Sequence, residues 1–297
     1  MAANKHHTDG GAMAAIFALL SAATWSVSDF LGGLATQRAN SLMVTFVSQI
    51  AGVSLLVILL PAMGIAPTAE ALWIGAIAGI GGSGGLLFYF KALAIGPMGV
   101  TAPVAAVVGA AVPVIVGLSL GERPGTLALC GIAVAIVGTT LASRPGPATA
   151  TTPDSSPNDT TRARRGAAAA AMGGVLFGLF FVAIASVPDG AGLWPLLTAR
   201  AAGITMLSVP MAIVRPARLD RRGLRLSLGA GVLDMAANSL FLAATQVGGL
   251  LVLTAVLASL YPVGVVALAA FVLHERLSRG QWIGAALAIA AVILIAV

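Results

Sequence analysis

The chain has 297 residues, 59% of them hydrophobic and only 9% charged, with a formal net charge of +6. Soluble domains carry about 25% charged residues, so this composition cannot cover a water-facing surface and excludes an ordinary soluble domain. The basic surplus does not point to a nucleic-acid partner, because it lies between apolar runs, where membrane proteins carry their topology signals.

Ten apolar stretches follow one another: 12–35, 42–62, 70–93, 97–119, 124–142, 167–187, 194–214, 224–245, 249–272 and 280–297. Each is near the length of about 20 residues that crosses a bilayer as a helix. Barrel strands are about half as long and alternate apolar with polar residues, which these runs do not. The first is too long for the h-region of a signal peptide. The predicted class is therefore an all-α integral membrane protein with ten transmembrane helices, in contact with the lipid of a plasma or inner membrane.

Residues 1–11 form a polar tail. In the first span, "TWSVSDFLGG" places Asp29 in apolar surroundings, with Trp25 one turn earlier on the same helix face. An ionisable group inside a span normally faces protein or a water-filled cavity. Three readings stay open for Asp29. It lines a cavity and takes a cation or a proton; it pairs with Lys91, whose long side chain can snorkel toward it; or it sits solvated near the interface. Gln49 lies in the second span. The Gly-rich "GIGGSGGLLFYF" in the third lacks the Lys-Ser/Thr of a phosphate loop and reads as a surface where helices approach closely. The same span ends with Tyr89 and Lys91. Pro97, Pro103 and Pro113 fall in or beside the fourth span, and internal prolines bend helices and free carbonyls, so Pro103 and Pro113 are helix-break candidates. Glu122-Arg123 closes that span. Cys130, the only cysteine, reads as a small packing residue.

Residues 143–166 form the only long polar stretch, rich in Pro, Ser, Thr and Asp, and are predicted to be a flexible linker. Beyond it, Arg200 lies early in the seventh span, and Asp234 near the middle of the eighth, with Asn238 one turn on. Arg200 enters from the side where the eighth span ends and is a candidate partner of Asp234, either as a structural clamp or as contacts to a solute. Gln246 is a further polar group on that helix. Tyr261 and Pro262, a third break candidate, lie in the ninth span. His6, His7 and His274 are scattered, and no His, Cys or Ser-His-Asp constellation suggests catalysis, a metal or a cofactor. An ATP-binding motif is likewise missing from the reading, so a gradient must supply any driving force.

Five spans precede the linker and five follow. "LGER" at 120–123 matches "LHER" at 273–276 at an offset of 153, and "VSQIAGVSLL" at 47–56 resembles "TARAAGITML" at 198–207 at an offset of 151. The halves, 12–142 and 167–297, are therefore copies. An odd number of crossings makes the second copy enter from the opposite side, the inverted repeat common among secondary transporters, with a substrate site near mid-membrane between the copies.

Alternate loops carry thirteen of the sixteen Lys and Arg residues (Arg38, Lys91, Arg144, Arg162, Arg164, Arg165, Arg215, Arg218, Arg221, Arg222, Arg225, Arg276 and Arg279), while Lys5 and Arg123 lie on the other side and Arg200 within a span. This asymmetry predicts that both termini are extracytoplasmic.

"YFKALAIGPMGVTAPV" with "LGERPG", and "FLAATQVGGLLVLTAVLASLYPV" with "LHERLSRGQWIG", resemble the EamA family of the drug/metabolite transporter superfamily. The resemblance spans nearly the whole chain apart from the tail and linker. It implies a carrier that exports a small metabolite or drug-like solute by alternating access, with protons as the candidate coupling ion. It also implies cytoplasmic termini, opposite to the charge count. The rival classes are a membrane-embedded enzyme and a membrane receptor or structural subunit without flux. The residues proposed to touch solute or coupling ion are Trp25, Asp29, Gln49, Tyr89, Lys91, Arg200, Asp234, Asn238 and Tyr261.

Overall fold

A computed structural model describes residues 2–95, 98–142, 157–248, 250–272 and 278–296. Its regular elements are all helices: α1 (Ala2–Thr36), α2 (Ser41–Met63), α3 (Ala69–Ile95), α4 (Met98–Ser119), α5 (Thr126–Ala142), α6 (Pro157–Ala185), α7 (Trp194–Val214), α8 (Arg221–Gln246), α9 (Leu251–Ala258), α10 (Tyr261–Val272) and α11 (Arg279–Ala296). In lipid a helix satisfies its own backbone groups, which is why long apolar runs take this form. Among the described residues, seven stretches are long and apolar enough to cross a membrane, one of them Leu251–Val272, the run made by α9 and α10; Val104–Ser119 and Thr126–Leu141 are shorter apolar helices.

Local chemistry sets the helix ends. The Asn40 side chain accepts from the Leu42 amide and the Asp220 side chain from the Gly223 amide, N-capping α2 and α8. Gly64, at φ 61°, ends α2 in the left-handed conformation that glycine adopts without a Cβ penalty. The polar boundaries differ from those read in the sequence. Helix α6 already begins at Pro157, so the last ten residues of the expected linker are helical, and α1 extends back through the expected tail to Ala2. The remainder of the linker, 143–156, lies outside the described residues, as do Pro97, His274, Glu275 and Arg276.

The helices pack in related pairs. α1 packs most extensively on α8, and α6 on α3; α3 lies against α7, and α8 against α2; α4 lies against α6, and α9 and α10 against α1. Exchanging each helix for its copy in the other half turns every member of this set into another, so the two halves embrace about a pseudo-two-fold axis. α5 and α11 pack chiefly on each other, outside this core.

Small residues allow the close approaches. A Cβ on Gly75 or Gly79 would collide with the α7 backbone at Pro195 and Ala199, and one on Gly85 would meet the Phe177 ring of α6 at 2.8 Å. The Gly-rich run is therefore a helix-packing face. Serine hydroxyls stitch α1 to α8: Ser21 donates to the Ala237 carbonyl and Ser28 to the Ala230 carbonyl, both at 2.8 Å. The outward faces carry large apolar side chains such as Trp73, Ile213 and Phe271, the last 81% exposed, a surface suited to lipid rather than to water. Cys130 corrects its expected role, being exposed on α5 instead of packed inside.

The breaks also differ from expectation. α4 runs as one helix through Pro113, and its backbone is helical at Pro103, whose side chain lies outside the described residues. A proline removes one hydrogen bond of the ladder, and here the surrounding helix continues past it. The interruption falls in the second half, at Ser259 and Leu260, just ahead of Tyr261 and Pro262. Pro262 thus sits in the first turn of α10, where an amide has no helical partner to lose.

Candidate solute-binding site

A cavity lies where the halves meet. Helices α1 to α4 of the first half and α6, α7, α8 and the α9–α10 segment of the second all contribute to its wall, and no described residue of α5 or α11 does. It offers about 60 Å³ to the centres of water-sized molecules. In this conformation that is room for a few waters or a small solute, whereas drug-sized ligands occupy roughly 300 Å³ or more.

On one wall, a buried polar chain crosses from half to half. Arg200 of α7 forms an ion pair with Asp234 of α8 and also donates to the Gln49 side-chain oxygen of α2. Gln49 in turn donates to the Ser83 hydroxyl of α3. The Trp25 indole N–H donates to the other Asp234 oxygen at 3.0 Å, and the Asn238 amide donates to the Asp234 backbone carbonyl at 2.7 Å. The Arg200 and Asp234 side chains are only 9% and 15% exposed. The pairing follows the repeat: Gln49 and Arg200 are 151 residues apart, as are Ser83 and Asp234. Each half thus bonds its second helix to its third at the same level, with a neutral pair in one copy and a charged pair in the other.

Elsewhere in the cavity lining, Asp29 is hydrogen-bonded to the Tyr89 hydroxyl, and Tyr89 to the Tyr261 hydroxyl. With Asp29 ionised, the carboxylate only accepts, so Tyr89 donates to it and Tyr261 donates to Tyr89. Asp29 and Asp234 also face each other closely enough to interact as charges. Tyr261 follows directly on the α9–α10 interruption, and Ser26 of α1 donates to its backbone carbonyl at 2.8 Å. The site's first carboxylate is thereby tied to the one broken span among the described residues.

Aromatic rings fill the space between. Trp25 lies 5.5 Å from Phe181 and 6.1 Å from Phe241 by ring centroids, Phe181 and Phe241 are 4.8 Å apart, and Phe177 meets Tyr89 edge-on at 6.0 Å. Tilted and edge-on arrangements of this kind favour aromatic pairs.

Of the residues singled out in the sequence, Trp25, Asp29, Gln49, Arg200, Asp234, Asn238 and Tyr261 line the cavity, and Tyr89 stands directly behind Asp29. Lys91 does not join them. It is exposed, and the ion pairs among the described residues are Arg38–Asp220 and Arg200–Asp234, so of the three readings of Asp29 the pairing with Lys91 is corrected: Asp29 bonds Tyr89 instead. Residues 89 and 91 are two apart on α3 and project from nearly opposite sides of it. Gln246 lies at the end of α8 outside the cavity, its amide nitrogen buried without a hydrogen-bond partner among the described residues. Sequence reasoning passed over Ser83, Phe177 and Phe181. The repeat offset carried a signal for Ser83, as the counterpart of Asp234; an apolar span hides the two phenylalanines.

Glu122 was also undervalued. Its two carboxylate oxygens accept from the Leu251 and Val252 amides, each at 2.9 Å. The first half thereby caps the N-terminus of α9 in the second, where free amides and the helix dipole favour an anion.

A two-fold-related helical core with a polar site between its halves and an apolar exterior defines the class: a multi-pass integral membrane protein built like a carrier. The EamA-like transporter family matches residues 12–144 and again 164–297, and the chain belongs to that family, within the drug/metabolite transporter superfamily. One solved structure, named only "Crystal structure of protein", has the same fold, with a TM-score of 0.75 and 20% sequence identity over 95% of this chain and 97% of the other. No curated protein matches the sequence.

Proposed function

We propose that the protein is a secondary carrier of the cell membrane that exports a small solute by alternating access. Its ten membrane crossings form two inverted five-helix units, 12–142 and 167–297, joined by the 143–166 segment. The observation that carries this reading is the cavity wall: the first four helices of each half supply it, and no described residue of either fifth helix does. Rocking of one four-helix core against the other then exposes the site to each side in turn, while α5 and α11 stay peripheral.

Protons are the proposed coupling ion, and Asp29 the group that exchanges them. Asp234 has Arg200 as its counter-ion. Asp29 is instead faced by the hydroxyls of Tyr89 and Tyr261 and by the like charge of Asp234. Flux in proteoliposomes under an imposed pH gradient tests the reading: a gradient drives uptake by the wild type, and Asp29→Asn loses that response. An Asp29→Asn protein that keeps its pH-driven flux dismisses the coupling, and a wild type without solute flux dismisses the carrier. A metabolite-export comparison of cells with and without the gene identifies the solute. A cytoplasm-active reporter fused at Val297 decides the orientation; the loop charges predict an inactive fusion.

A further inference from the structure

Among the described residues, one charged group of the cavity, Asp29, has no ionic partner. Arg200 and Asp234 neutralise each other, and both terminal nitrogens of Arg200 are engaged, one by Asp234 and one by Gln49. Among the described residues lining the cavity, no cationic side chain is therefore left to meet an anionic solute. Lys91, two residues past Tyr89 on α3, is exposed and projects from nearly the opposite side of that helix. With Asp29 ionised, the cavity holds a net charge of −1 (Arg200 +1, Asp234 −1, Asp29 −1) within walls formed by the rings of Trp25, Phe177 and Phe181. A carboxylate without a counter-ion beside aromatic faces is the complement of an organic cation, because ring faces attract positive charge and do so more strongly once water is excluded. Trp25 is one helical turn from Asp29 and is held by its hydrogen bond to Asp234, so its ring is already oriented before a solute arrives.

We infer that the solute is a small organic cation, its nitrogen seated at Asp29 and covered by the rings of Trp25 and Phe177. This deepens the carrier reading and rests on it only for the solute's being moved. The small cavity limits the solute to a few carbons around the charged centre unless the halves part further.

Calorimetric titration of the purified protein in lipid nanodiscs tests the inference with three molecules of nearly one shape: choline, neutral 3,3-dimethylbutan-1-ol and anionic 3,3-dimethylbutanoate. Choline is expected to bind at least about tenfold more tightly than either, the size of a desolvated cation–ring and charge contact. Asp29→Asn removes that preference, Asp29→Glu retains it, and Lys91→Ala leaves it unchanged. Equal binding of the neutral or anionic molecule, or binding of none, overturns the inference, and this readout needs only the wild type if a variant fails to fold. Counterflow of labelled choline in proteoliposomes is measured alongside. A charge preference without flux sinks the carrier reading and leaves the inference standing. Flux of solutes with no charge preference does the reverse.

Discussion

The Arg200–Asp234 pair admits a test in which one half of the molecule supplies the control for the other. Replacing Arg200 with Gln and Asp234 with Ser rebuilds in the second half the neutral pair that Gln49 and Ser83 form in the first. The pair is buried, with side chains 9% and 15% exposed, so either single replacement leaves a charge without its partner. That situation costs roughly 3–5 kcal/mol, whereas replacing both members of a buried pair is often close to neutral. The double variant still loses the acceptor of the Trp25 indole and the charged donor to Gln49, about 1 kcal/mol each. The expected outcome is two strongly destabilised single variants and a double variant within about 2 kcal/mol of wild type, a favourable coupling of at least about 2 kcal/mol. Reversible unfolding in mixed micelles, run on all four proteins, measures it. Additivity of the two single losses to within about 0.5 kcal/mol would refute the view that these residues form one charge-compensated unit.

Glu122→Gln keeps one oxygen acceptor and removes the anion from the α9 N-terminus, at a cost of about 1 kcal/mol; hydrogen exchange at Leu251 and Val252 should quicken while that of α2 stays unchanged. Gly79→Val drives a side chain into the α7 backbone at Ala199 and is expected to destabilise by about 1–3 kcal/mol or more. Gly11→Val, with open space around it, should unfold like wild type in the same assay. Lys91→Ala should leave transport and folded yield at wild-type levels, since the residue is exposed and pairs with no acid among the described residues; a large loss of flux would return Lys91 to the site.

Membrane residence and the duplicated halves were legible along the chain. Apolar run length is a one-dimensional property, the repeat offset is a matter of counting, and the fixed rise of a helix converts position into depth. That is why Arg200, entering from the side where the eighth span ends, could be named beforehand as a candidate partner of Asp234. Rotation about a helix axis is another matter. α3 is apolar or small nearly all round, so no polar face in its sequence tells which side turns inward. The packing of its glycines against α6 and α7 sets that rotation, bringing Tyr89 to Asp29 and leaving Lys91 outside. The helix interruption was undecidable for a like reason. Prolines occur in both related spans, yet α4 continues through Pro113 while the second-half span breaks at Ser259–Leu260, where Glu122 caps one end of α9 and Ser26 holds the Tyr261 carbonyl just past the other. Those contacts join residues more than a hundred positions apart, and only the assembled fold brings them together.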